Sequence, residues 1–107
     1  MMDGGCRVTV EPGPCKMTTV ITATMDDDMN VVFEVQTECE SVRALVDSLP
    51  PLSPYEEIER TYSDSEIYKA ASLAIKHLAC PVPCAMVKAA EAASGLGIKR
   101  DVNLVIE

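Results

Sequence analysis

The spacing of apolar residues changes once along this chain, and that change constrains the fold more than any other feature. Residues 7–11, 17–25 and 31–38 either alternate apolar with polar side chains or are rich in β-branched residues, which predicts three strands. The segments EPGPCK and DDDMN between them are typical of turns. Strands joined by such short connections are expected to form an antiparallel meander.

After residue 38 the apolar residues follow helical spacing. Ser41 is the predicted cap of a first amphipathic helix, which Pro50 and Pro51 end. The segments Ser53-Pro54-Tyr55-Glu56 and Ser63-Asp64-Ser65-Glu66 are two further start signals. The helix after the second of them carries one apolar stripe, formed by Ile67, Ala71, Ala74, Ile75 and Leu78.

Pro81 and Pro83 are expected to end that helix and to begin a last one, which runs through AMVKAAEAAS to Gly95 as its C-terminal cap. Met86 in this helix is expected in the core. The final segment DVNLVIE, residues 101–107, predicts a fourth strand. The chain is therefore expected to be one α+β domain over residues 1–107, in the order βββ, three or four helices, then β. Two layers result: a mixed, mostly antiparallel sheet and helices on one of its faces.

Charge and composition exclude several functions. The formal net charge is −8 and the nine basic residues are scattered, so neither nucleic acid nor an anionic membrane surface is an expected partner. A protein partner is compatible with this surface, and the oligomeric state is left open. The paired carboxylates Glu56-Glu57 and Glu38-Glu40 are expected to be solvated, as is the Asp26–Asp28 run in its hairpin loop.

The expected location is the cytoplasm. No stretch approaches the roughly 20 apolar residues of a membrane span, and the N-terminal residues lack a signal-peptide pattern. The five cysteines of a protein in a reducing compartment are then metal ligands, reactive thiols or buried inert thiols rather than a disulfide framework. A Ser-His-Asp hydrolase, a Rossmann site and a P-loop are unsupported by any motif, and whether the chain is an enzyme is left uncertain.

The predicted topology brings five potential soft ligands to one end of the sheet. Cys15 follows the first strand and Cys39 follows the third, and these two strands run in the same direction in a meander. If the last helix runs antiparallel to them, its start lies at the same end, together with His77, Cys80 and Cys84. Cys6 begins the first strand and is expected at the opposite end.

Such a cluster predicts a metal centre. Cys15, Cys39 and Cys80, completed by Cys84 or His77, would supply four ligands for Zn or for an iron–sulfur cluster. The spacing is not specific, because the chain has no C-x-x-C pair. Cys15 and Cys39 are also compatible with small buried residues, and His77 with a helix-end residue near the last carbonyls.

A second hypothesis assigns Cys80 a catalytic role as a reactive thiol. Cys80 is the predicted N-cap of the last helix, where unpaired N–H groups favour the thiolate form. The alternative is that CPVP only stops one helix and starts another. A third hypothesis is an acidic interaction domain with inert thiols.

Two resemblances bear on these hypotheses. The CPVP segment, followed by a helix with Lys88, resembles the CPxP signature of bacterial sulfur carriers of the TusA/SirA type. That resemblance implies a persulfide on Cys80 and a structural role for Pro81 and Pro83, although the signature follows the first strand in that family. Over most of its length the chain also resembles a small family of uncharacterised prokaryotic proteins, found largely in anaerobes. Its members share a Pro-Gly-x-Cys turn, here residues 12–15, and an HxxCPVP segment, here residues 77–83.

Overall fold

The computed structural model describes residues 5–107, and its elements follow the expected order. Three strands come first, followed by helices, so the α+β fold is confirmed. The strands are β1 (Gly5–Val10), β2 (Thr19–Met25) and β3 (Val31–Gln36). The helices are α1 (Glu40–Asp47), α2 (Pro54–Glu57), α3 (Glu66–Ala74) and α4 (Val82–Ala93).

The three strands form an antiparallel sheet in the order β1-β2-β3. Alternation of side chains gives the sheet an apolar inner face, on which Val8, Ile21 and Val35 lie side by side. The neighbouring row on the opposite face is polar: Arg7, Thr22 and Glu34. The alternation in the sequence therefore predicted the faces of the side chains in β1 and β3, while in β2 the structure assigns them.

The helices cover the inner face and enclose the core. α4 lies across β1 and β2, and α1 lies against β3 and α3. Met86 of α4 is fully buried, as predicted, and so are Ala89 and Ala90 on the same helix. Because alanine side chains are small, α4 approaches the sheet closely, and the core is filled mainly by aliphatic side chains such as Ile21 and Leu45.

The two turns of the meander have clear local causes. Gly13 has φ +89°, a left-handed conformation that glycine adopts without steric cost, and its carbonyl accepts from Lys16 N at 2.9 Å. In the second turn Asp26 Oδ1 accepts from Asp28 N and Asn30 N, each at 2.9 Å. The carboxylate of Asp26 thus closes the hairpin loop, which agrees with a structural function of this acidic run.

Helix capping matches the sequence at two of the expected places, Ser53 and Gly95, whereas at the start of α3 the N-cap is Ser65 and not Ser63, the first residue of the predicted start signal. Ser53 Oγ accepts from Glu56 N at the start of α2, and Ser65 Oγ accepts from Tyr68 N at the start of α3. Gly95, with φ +82°, follows α4, and the N–H of Leu96 donates to the Glu91 carbonyl at 2.9 Å. This is the Schellman arrangement that a glycine directly after a helix predicts.

Two other helix boundaries also differ from the expectation. Cys39, not Ser41, is the N-cap of α1, and its side chain makes no capping hydrogen bond. α3 ends at Ala74, so Leu78 lies beyond the helix and is fully exposed. The apolar stripe suggested a longer helix: Ile67 and Ala71 are buried and Ala74 and Ile75 pack at the margin of the core, but Leu78 has no core to pack against.

The predicted fourth strand does not form in the described chain. Residues 101–107 have no regular secondary structure and are all exposed, and the sheet has three strands, so it is antiparallel rather than mixed. Alternating apolar residues favour an extended conformation, but a strand also needs an edge to pair with. Separately, none of the helices in residues 5–107 is both long and apolar enough to span a membrane.

Candidate functional site

The start of α4 is the first part of the candidate site. Pro81 is the N-cap and accepts from Ala85 N at 3.0 Å, while Pro83 lies in the first turn. The N-cap is thus one residue later than predicted, and the carbonyl of Pro81, not that of Cys80, accepts the first hydrogen bond of the helix. No side chain caps this end of the helix, so its first N–H groups have no side-chain acceptor.

Two cysteines lie on either side of this helix start. Cys80 directly precedes Pro81; its N–H donates to the His77 carbonyl at 3.1 Å, and its side chain is half-buried against the core. Cys84 is in the first turn and is exposed. The prediction that thiols lie at this helix start holds for the described fold, with Cys80 just outside the helix and Cys84 inside it.

Tyr68 of α3 connects this helix start to the neighbouring helix. Its pKa is raised above the ordinary value of 10.0, chiefly because the phenol is partly buried, and further by the nearby Cys84 and Tyr62. The rings of Tyr62 and Tyr68 meet edge to face, with their centroids 5.2 Å apart. Cys84 therefore lies near this aromatic pair.

An open pocket of about 330 Å³ lies beside the aromatic pair. It is lined by both tyrosines, by Glu57 and Arg60, and by Val87 of α4. Pro81, Cys80 and Cys84 do not line it. Tyr68 lines the pocket and also lies near Cys84, so this thiol is close to the pocket without being part of its wall.

Glu57 is a buried carboxylate that the sequence did not reveal. It was expected on the solvated surface, but only 3% of the residue is exposed. Its oxygens accept from Ser65 Oγ, from the backbone N–H groups of Glu66 and Ile67 at 3.0 Å each, and from Arg60 Nη1 at 3.3 Å. The expectation was wrong because the Glu57 carboxylate accepts hydrogen bonds from the start of α3. The donors are nine and ten positions later in the chain, so the local sequence does not indicate this contact.

Arg60 balances the charge of this carboxylate. Its guanidinium lies within 3.2 to 3.6 Å of the carboxylates of Glu56, Glu57 and Glu66. Every buried side-chain nitrogen and oxygen in the described residues has a hydrogen-bond partner. The Glu57 network is thus complete within the chain, and its geometry indicates a structural connection between α2 and α3.

The other predicted ligands lie elsewhere. Cys15 is exposed in the turn after β1, and Cys39 is half-buried at the start of α1. Their chain neighbours Lys16 and Glu38 line one shallow groove, so the two loops are adjacent at one end of the sheet, as expected. Cys6 begins β1 at the opposite end, also as expected.

A preformed metal centre is not found. In residues 5–107 no three His, Cys, Asp or Glu side chains come together in a way that could hold a metal ion. His77 is exposed in the connection that follows α3, three residues after the helix ends. The described arrangement therefore does not fit a four-ligand Zn or iron–sulfur site built from Cys15, Cys39, Cys80 and Cys84 or His77. All five cysteines are free thiols.

The fold and the helix start define a small α+β protein with free thiols on either side of a proline-marked helix start. Comparison with family models places residues 6–106 in DUF6951, a family of unknown function, and the chain belongs to that family. No curated protein matches it. No solved structure matches it either.

Proposed function

We propose that this protein carries sulfur on the thiols at the start of α4, with Cys80 as the residue that forms a persulfide. The proposal is supported above all by the uncapped first turn of α4, which has one thiol immediately before it and another within it. Unpaired N–H groups at a helix N-terminus favour a negative charge nearby, and a thiolate is the reactive form of cysteine. The resemblance of CPVP to the CPxP signature adds to this support.

The two prolines fit the proposed role. Proline has no backbone N–H. Pro81 is the N-cap and Pro83 lies in the first turn, where an N–H has no acceptor within the helix, so neither proline costs α4 a hydrogen bond. They fix the direction in which the chain enters α4, and therefore the position of Cys80. Because Cys80 is half-buried against the core, only a donor that reaches the surface at this helix start would contact its sulfur.

The chemical step is a transfer of sulfane sulfur from a persulfide donor. The Cys80 thiolate attacks the outer sulfur of the donor, R–S–SH, and forms a new S–S bond. The S–S bond of the donor breaks, its electron pair leaves with R–S⁻, and Cys80 becomes Cys–S–SH. Charge and atoms balance, and no external oxidant or reductant is needed.

Mass spectrometry tests this proposal directly. The reduced protein is incubated with glutathione persulfide, free thiols and persulfides are alkylated, and peptides are analysed. We expect an added mass of about 32 Da, one sulfur atom, mainly on the peptide with Cys80. Cys80→Ser should abolish that signal, and Cys15→Ser, which changes an exposed thiol in a distant turn, should leave it intact. Equal labelling of Cys6, Cys15 and Cys80 would contradict the proposal.

Metal binding is the competing proposal, and the adjacency of the Cys15 and Cys39 loops is the observation that favours it. Because the described residues form no group of three ligands, binding would require the loops to rearrange. Elemental analysis of anaerobically purified protein tests it: about one equivalent of Zn or Fe, reduced in Cys15→Ser, would support a metal centre. Less than about a tenth of an equivalent, with no uptake on reconstitution, would exclude it.

Alkylation distinguishes the third possibility, an acidic interaction domain with inert thiols, from the other two. If all five cysteines react only after denaturation and no metal is present, the thiols have no role in function. The exposed positions of Cys15 and Cys84 lead us to expect that at least these two react in the folded protein.

A further inference from the structure

Residues 101–107 form an exposed segment without regular secondary structure that is unusually apolar for a surface. We propose that residues 101–106 add as a fourth strand to the free edge of β1 in a second copy of this chain. The exposed fractions of Val102, Leu104, Val105 and Ile106 lie between 61% and 93%. Exposed apolar residues that are contiguous in this way mark an interaction surface more often than isolated ones do.

The segment has the pattern of a strand with two different faces. Val102, Leu104 and Ile106 would lie on one side of an extended chain, and Asp101, Asn103 and Glu107 on the other, with Val105 as the exception. No hydrogen bond joins residues 101–107 to the rest of the described chain. The backbone N–H and C=O groups of this segment are therefore free to pair with a strand.

The edge of β1 is a suitable acceptor. Within residues 5–107, β1 pairs with β2 only, and its six residues match the six residues of the proposed strand. On the opposite edge of the sheet, Val31 of β3 already pairs with Leu52 through two backbone hydrogen bonds. The β1 edge is thus the longer unoccupied edge, and an unpaired strand edge of this kind readily accepts another chain.

Side chains along β1 complement those of the segment. Cys6 and Val8 lie on the inner face at the margin of the core and are only half-buried. A strand beside them with Val102, Leu104 and Ile106 on the same face would extend the apolar layer. With Cys6 and Val8 beside Val102 and Leu104, Arg7 of β1 would lie opposite Asn103 on the outer face, with Asp101 as a diagonal neighbour of opposite charge.

A second copy is the occupant that these observations favour. In the single chain the segment does not pair with its own sheet, although its sequence is that of a strand. Each molecule carries both the added strand and the free edge, so reciprocal exchange closes a two-fold dimer without leaving an open end. The family model extends to residue 106, so the segment is part of the sequence that defines the family.

The oligomeric state tests the proposal. Light scattering and sedimentation of the full chain over a range of concentrations should show a dimer. Removal of residues 101–107, none of which is buried, should give a monomer, and Leu104→Asp should weaken dimerisation by about tenfold or more. Asn103→Asp is the matched control, because it adds the same charge on the other side of the segment; we expect a change of less than about threefold.

Hydrogen exchange locates the contact and separates the alternatives. Amides of residues 5–10 should exchange more slowly in the full chain than in the truncated chain, and a synthetic peptide of residues 98–107 should restore the protection. A full chain that is monomeric at every concentration overturns the proposal. Protection of β1 that does not depend on concentration would indicate pairing within one chain, and protection along β3 would indicate the wrong edge; either result also overturns it.

Discussion

Glu57 shows how a single residue can connect two helices. Its carboxylate accepts from Ser65 Oγ and from the N–H groups that begin α3, while Arg60 holds it from the side of α2. The start of a helix carries a partial positive charge, so a carboxylate there is favourable even when it is buried. Removing it would leave several donors without an acceptor in a region that water reaches poorly.

We therefore expect Glu57→Ala to lower the free energy of unfolding by about 3 kcal/mol, since it leaves buried donors and Arg60 without their partner. Glu57→Gln keeps the size and one acceptor and should cost about half as much. Urea denaturation measures both. Glu59→Ala, at an exposed position two residues away, should change stability by less than about 0.5 kcal/mol. Equal effects at the two positions would show that the Glu57 network is not formed.

Tyr68 gives a second test at a single residue. Burial, Cys84 and Tyr62 raise the pKa of its phenol above 10.0. The folded protein therefore holds this proton more tightly than the unfolded chain, so the associated stability is present below pH 10.0 and is lost as the pH rises through the folded-state pKa. In a tyrosinate absorbance titration, Tyr68→Phe should remove the highest midpoint.

Cys84 is expected to contribute to that shift through its charge. Cys84→Ser should lower the midpoint of Tyr68, though not to 10.0, because the burial of the phenol remains. Cys15→Ser, at an exposed turn, should leave the midpoint unchanged. If Cys84→Ser had no effect, Cys84 would not lie near the aromatic pair.

Residues whose role is local were predictable, and those whose role is not local were missed. Ser53 and Gly95 act on atoms within a few positions along the chain, so their residue type and spacing were sufficient. Glu57 acts on the N–H groups of Glu66 and Ile67, and nothing in the segment PYEE indicates that contact. The positions of Cys80 and Cys84 around a helix start were anticipated, but the proximity of Cys84 to Tyr68 required the folded structure.

At the scale of elements, α4 is the helix on which the fold depends most. It lies against β1 and β2 and also contacts α2 and α3. Its two ends are defined by different residues: Pro81 and Pro83 at the start, and Gly95 just after the end. The end is the simpler to test, because the left-handed conformation of Gly95 carries a steric cost for other residues.

We expect Gly95→Ala to destabilise the protein by about 1 kcal/mol, because alanine at φ +82° is strained. No atom lies within 4 Å of a Cβ added there, so the cost is conformational and not a clash. Gly95→Asn should cost less, since asparagine tolerates this conformation better. Thermal denaturation of the two variants provides the comparison, and equal losses would indicate that backbone strain is not the cause.

The segment after α4 shows the limit of pattern-based prediction at this scale. Its alternating apolar residues predicted a strand, yet the segment remains unpaired in the single chain. β1, β2 and β3 formed as predicted because each finds its partner within a few residues along the chain, through a short turn. The element next to residues 101–107 in the described chain is a helix, α4, so pairing of this segment depends on the arrangement of all other elements.

At the scale of the whole molecule, the core rather than covalent bonds holds the fold together. Residues from all three strands and from α1, α3 and α4 form one buried aliphatic cluster, while all five cysteines are free thiols. A chain of 107 residues is long enough to bury such a core without disulfides.

The thermal midpoint is consequently expected to be the same with and without a thiol reductant, within about 1 °C. The physical reason is that no disulfide constrains the unfolded chain. Differential scanning calorimetry under air-free conditions measures this, with the variant lacking both exposed thiols, Cys15→Ser with Cys84→Ser, as a control for adventitious oxidation. A decrease of several degrees on reduction would indicate a disulfide in the native protein.

The sequence by itself determined the elements of this protein: three antiparallel strands, the helices after them, the caps at Ser53 and Gly95, and the single core that they enclose. Alternation, helical spacing and capping act between residues close in the chain, where covalent geometry limits the possible conformations. Only the tertiary structure decided which side chains meet. It buried Glu57 beneath α3, brought Cys84 to Tyr68 and left Cys15 away from any three-ligand group, because distances between remote residues depend on how the helices pack on the sheet.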